Sequence, residues 1–173
     1  MFAPIAVGLV ILALISLGIP TIGGTFVLIV GGSAVLAYLA WLATTYRRPA
    51  DPDRILPAYL LLIAAELVHM GEEYFADFPG EFDELFSVPI DFNRQKFTLA
   101  LMVGVNALAL LAAFGLRRRN PIANYVVWFY TVGPGLINAV AHIAFPIIAE
   151  SRTSRAWSRW LFLRLRESLC FSS

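Results

Sequence analysis

The residues best able to do chemistry lie in the stretch Glu66-Leu-Val-His-Met-Gly-Glu-Glu73. Four ionisable side chains, Glu66, His69, Glu72 and Glu73, fall within eight positions of one another inside an otherwise apolar segment. A charged residue at the centre of a membrane helix costs roughly 2.5–3.5 kcal/mol on insertion scales, so such a group calls for a reason. At about 100° per residue, Glu66, His69 and Glu73 share about 60° of helical arc, and Glu72 lies about 60° beyond His69. Glu66-x-x-His69 has the i, i+3 pairing that helical di-iron carboxylate bundles use to bind metal. Further along, Asn138 and His142 stand one turn apart on one helical face. His69, His142, Glu66, Glu73 and Asn138 form a nitrogen and oxygen donor set suited to a divalent metal, namely zinc, iron or manganese. Of Glu72 and Glu73, one not used as a ligand would serve as general base. Without metal, the same groups could relay protons. The competing reading is a buried polar network that only locks a helix bundle. For Asn106, another polar residue within an apolar run, an interhelical hydrogen bond explains the residue as well as a site role does.

These residues need helices in a bilayer to position them. The chain has 173 residues, 59% hydrophobic and 14% charged, with a mean hydropathy of +0.73. Soluble domains carry about 25% charged residues. Long apolar runs on this background read as an all-α, polytopic transmembrane bundle. One domain, 1–150, accounts for the membrane part. The net charge of +1 points to no nucleic-acid partner, and the arginine clusters read as topology signals. The single Cys170 excludes an internal disulfide and a cysteine-based zinc site. The start Met1-Phe2-Ala3-Pro4 lacks the basic region of a cleavable signal peptide.

Five spans are expected. The first covers Ala3 to Leu17, followed by a breaker-rich turn over Gly18–Gly24. The second covers Thr25 to Thr45 and ends at Tyr46-Arg47-Arg48, an interface anchor. The third runs from about Ile55 to Phe75, with Asp53 as its expected cap and Pro57 in its first turn. Asp77 to Asn93 reads as an interfacial loop or surface helix, and its phenylalanines as an interface belt. The fourth span covers Gln95 to Leu116, closed by Arg117-Arg118-Arg119. The fifth starts at Asn120-Pro121 and runs to about Ile148, with a kink expected at Gly133-Pro134-Gly135. Residues 151–173 form an atypical basic tail.

Arg47, Arg48 and Arg54 precede the third span, and Arg117 to Arg119 precede the fifth. The positive-inside rule then puts both loops and the N-terminus in the cytoplasm. At a rise of about 1.5 Å per residue, Glu66 and Asn106 sit near mid-membrane, Asn138 slightly beyond it, and His69 to Glu73 and His142 in the outer half. The polar residues of three spans are therefore expected in one layer.

The pentapeptide His69-Met-Gly-Glu-Glu73 resembles the signature of the HXXEE family of integral membrane proteins, whose function is unknown. Glu66 before it, Asn106 in the next span and Asn138-Ala-Val-Ala-His142 later extend the resemblance over about 55–145. The resemblance implies functional positions at His69, Glu72, Glu73, Asn138 and His142, and implies no reaction. It also implies a Pro-Gly turn and a sixth apolar span at the end, which this sequence lacks. Arg152-Thr-Ser-Arg-Ala-Trp-Ser158, written with CGN and TCN codons and read two bases later, admits Tyr-x-Pro-Gly-Leu-Val. The expectation is that residues after about Glu150 are a frame-shifted sixth helix. The functional expectation is a metal-dependent membrane enzyme acting on a lipid or apolar small molecule. The alternatives are a proton or metal-ion carrier and a structural or partner-binding membrane protein.

Overall fold

A computed structural model of the chain describes residues 2–22, 24–78, 80, 93–144 and 147. Most of the expected interfacial loop after Asp77, and all of the tail 151–173, lie outside the described residues. The described residues are all-helical. Five helices follow in order: α1 (Ala3–Ile22), α2 (Gly24–Ala43), α3 (Pro52–Phe75), α4 (Arg94–Arg117) and α5 (Pro121–Ala144). The last three are each long and apolar enough to cross a membrane, and α1 and α2 are apolar helices of 20 residues. Five spans are compatible with this count. The chain divides after Asn138 into two units, and the packing described below is that of the first.

Where the helices start and stop follows from the chain's polar punctuation. Asp51, not Asp53, caps α3: its carboxylate accepts from the Asp53 backbone N–H at 3.2 Å. Pro52 then occupies the first helical position, where its missing N–H does no harm, and Pro57 lies a turn further in. Asn93 caps α4 through the Lys96 N–H (3.0 Å), and Asn120 caps α5 through the Ile122 N–H (2.8 Å). The expected turn over Gly18–Gly24 is shorter than its composition suggests, because α1 continues through Pro20 to Ile22 and α2 begins at Gly24. A bilayer offers no water to a broken backbone, so helix persists there against its propensity.

Small residues set the packing distances. Leu56, Tyr59 and Ile63 of α3 bury against Ala109, Ala113 and Leu116 of α4 and Tyr130 of α5. Trp41 of α2 is fully buried with Val7 and Ile11 of α1, and Tyr125 and Trp128 of α5 pack on that cluster. Helices α4 and α5 meet at Gly115, where an added Cβ would come within 2.6 Å of the Ala123 Cβ. This is the small-residue contact that lets membrane helices approach closely. The outer surface is apolar: Leu9, Leu36, Leu61, Val68, Leu111 and Phe114 are each more than half exposed. An apolar surface of this kind fits lipid, not water.

Candidate functional site

The inward stripe of α3 is Leu56, Tyr59, Ile63, Glu66, Met70 and Glu73. Helical spacing of three and four puts all six on one face. Two carboxylates therefore occupy positions that would otherwise carry core aliphatics, and both are more than nine-tenths buried. His69 flanks this stripe and is partly buried. Its Nε2 lies 3.3 Å from Glu73 Oε1, an i, i+4 pairing. Glu72, one position earlier, is exposed. The spacing thus separates two adjacent glutamates: one faces the protein and one faces outward.

Asn106 on α4 has a different part. Its Oδ1 accepts the Tyr130 hydroxyl at 2.6 Å. Its Nδ2 faces Met102 O at 2.9 Å, Leu101 O at 3.2 Å and Met70 Sδ at 3.2 Å. Both ends of the carboxamide are thus engaged within the protein. Asn106 thereby joins α3, α4 and α5. Tyr130 in turn packs edge-on against Tyr59, with ring centroids 5.8 Å apart, and lies within electrostatic reach of Glu66. The Tyr59 hydroxyl donates to Ala109 O at 3.2 Å.

Two stretches of π-helix border this layer. Thr98–Val105 ends at Asn106, and Thr131–Ile137 ends at Asn138. In the first, the Asn106 side chain bonds to two of the carbonyls of the widened turns. In the second, Pro134 has no N–H to give, and a wider turn accommodates its ring more readily than an α-turn does. The kink expected at Gly133-Pro134-Gly135 is thus expressed as a widened helix. Such bulges cluster at functional sites in helical proteins.

Asn138 is half-buried at the end of this second stretch. His142 lies on the same helix, in the second unit, and is exposed. His69 and Glu73 each offer one ligand atom that could hold a metal ion, and His142, the third expected ligand, belongs to the second unit. Imidazole nitrogens with a carboxylate oxygen suit zinc, iron or manganese.

At the same, C-terminal end of α3, the Arg94 guanidinium joins two partners. Its Nε lies 2.9 Å from Asp77 Oδ1 and its Cζ lies 5.4 Å from the Tyr74 ring centroid. The start of α4 is thereby fixed to the end of α3, which carries the His69–Glu73 pair. Tyr130, Tyr59 and Met70 were not among the residues singled out by sequence. A signal for the tyrosines existed: a hydroxyl inside an apolar span needs a hydrogen-bond partner. No family model, curated protein or solved structure matches the chain.

Proposed function

We propose that this integral membrane protein holds a divalent metal through His69, Glu73 and His142, and acts as an enzyme on a lipid or other apolar molecule reached from the bilayer. The observation that carries the reading is the His69–Glu73 pair, 3.3 Å apart on a membrane-length apolar helix, and the later His142 is proposed from the sequence pattern as the third ligand. Burying a glutamate on the core stripe of such a helix is costly without a partner of opposite charge or a cation. When bound, the metal would polarise a carbonyl or phosphoryl oxygen of the substrate.

The chain's own residues have distinct parts in this proposal. His69 and Glu73 hold one side of the ion, and His142 completes the set. Glu66, two turns before Glu73 on the same buried stripe, accepts and returns the proton. Glu72, being exposed, serves the entrance. Asn138, at the end of the second widened stretch, orients the His142-bearing turn. Asn106 and Tyr130 position α3 against α4 and α5. The ordered resemblance to HXXEE proteins supports the same positions and implies a bacterial inner membrane, and the arginine loops support an N-terminus on its cytoplasmic side.

Metal analysis of the detergent-purified chain tests the reading. One equivalent of zinc, iron or manganese is expected, lost in His69→Ala and in His142→Ala while both variants stay folded. Absence of metal, together with unfolding of those variants, would overturn it in favour of a structural polar layer. Bound metal with ion uptake and no lipid turnover in liposomes would make the protein a carrier.

A further inference from the structure

The opposite end of the bundle carries a second group with no part in the metal reading. The loop from α2 to α3 holds Arg47 and Arg48, and Arg54 follows in the first turn of α3. Arg117 ends α4, and the turn from α4 to α5 holds Arg118 and Arg119. The structure brings the two together. The Ala50 backbone N–H donates to Asn124 Oδ1 at 3.1 Å, and Trp128 Nε1 donates to Thr45 Oγ1 at 3.1 Å. Six exposed arginines thus share one end with two acids, Asp51 and Asp53. Asp51 is already paired with Arg54 at 3.5 Å. The other five arginines make no ion pair among the described residues. Tyr46 packs on Trp41, with ring centroids 5.1 Å apart, so the first arginine loop starts at an aromatic anchor of the kind found at headgroup depth.

Arg119 adds an independent observation. Helix α4 ends in a Schellman motif: Asn120 N–H donates to Gly115 O at 3.0 Å and Arg119 N–H to Leu116 O at 2.8 Å. The residue after the cap must then adopt a left-handed backbone, and Arg119 has φ 52°. Glycine is the unstrained choice there, and a long side chain is disfavoured. Arg119 thus keeps a long cationic side chain at a position where glycine would fit without cost.

We propose that this end of the bundle is a binding site for the phosphodiester headgroup of an anionic membrane phospholipid, with Arg119 held in its strained turn to complete it. Guanidinium groups grip phosphate oxygens in pairs, and basic clusters at helix ends collect anionic lipid. A topology signal needs only positive charge, which lysine supplies equally. A phosphate site distinguishes arginine from lysine.

The test is native mass spectrometry of the full chain after equilibration with equal phosphatidylglycerol and phosphatidylcholine of matched acyl chains. The unaltered protein should retain phosphatidylglycerol preferentially. The charge-preserving variant R117K/R118K/R119K should lose about fivefold of that preference. Arg119→Gly should weaken it as well, while its melting temperature rises by about 2–4 °C. Equal retention of the two lipids, or an unchanged preference in both variants, would overturn the proposal. Release of the lipid by millimolar inorganic phosphate would also overturn it, since the site would then take free phosphate. Arg119→Gly relieves strain and so keeps the question decidable even if the triple variant misfolds.

Discussion

The Tyr130–Asn106 bond offers a direct way to separate the scaffold from the proposed metal site. Tyr130→Phe removes one hydroxyl from a side chain that is 1% exposed and leaves its volume nearly unchanged. No cavity forms, so the effect is that of the hydrogen bond. Asn106 Oδ1 loses its 2.6 Å donor but the carboxamide keeps its bonds to Leu101 O and Met102 O. In a soluble protein, an acceptor stranded this way costs about 1–3 kcal/mol. Between membrane helices the measured mean is nearer 0.6 kcal/mol, with a maximum of about 1.7, because the separated helices also find partners. The bond is short, buried and joins two helices, so about 1 kcal/mol is expected. Asn106→Leu should cost more, because it strands the Tyr130 hydroxyl and also the two carbonyls of the widened turns. The double variant should cost less than the sum of the two by roughly 0.5–1.5 kcal/mol. Reversible denaturation in mixed detergent micelles measures all three. Metal content should stay unchanged in Tyr130→Phe. Additivity within about 0.3 kcal/mol would refute the pairing. Loss of metal in a folded Tyr130→Phe protein would refute the division between scaffold and site.

Glu73→Gln should weaken metal binding by roughly 100-fold or more, whereas Glu72→Gln, at an exposed position, should change it little; isothermal titration with zinc separates the two. Zinc at about 100 times its dissociation constant should stabilise the protein by about 2.7 kcal/mol, and a chelator should remove that increment; thermal unfolding with and without chelator reads it. Gly115→Ala forces α4 and α5 apart at a 2.6 Å contact and should destabilise by about 1–3 kcal/mol, while Gly32→Ala, whose Cβ would meet nothing within 4 Å, should be neutral or stabilising in the same assay. Asp51→Ala removes the α3 cap and should cost about 1 kcal/mol, with Asp53→Ala costing less; helix content on heating follows both.

How much could be read from the chain differs between features that depend on one helix and those that depend on several. Three long apolar helices were legible because a membrane allows few other solutions for such runs. The separation of Glu73 from Glu72 was legible too, since azimuth along one helix needs only the 3.6-residue repeat. The cap of α3 was misplaced by two residues because both Asp51 and Asp53 suit the position; Pro52 decides between them, since its fixed φ and missing N–H favour the first helical turn. The turn expected at Gly18–Gly24 is largely helix because glycine and proline break a helix less readily in a bilayer than in water. The two π-helical stretches were not legible as such. Gly133-Pro134-Gly135 announces a disturbance in α5, but Thr98–Val105 has no proline, and only the contacts of Asn106 explain why widened turns are tolerated there. Tyr130 was missed for a related reason. An aromatic residue within an apolar span looks like packing, and its hydroxyl becomes informative only when the facing helix shows a carboxamide at the same depth. Two polar groups on different spans are best read as a pair. An asparagine and a tyrosine that satisfy each other report on how the helices are held, whereas a histidine beside a buried glutamate makes a site that a cation could complete.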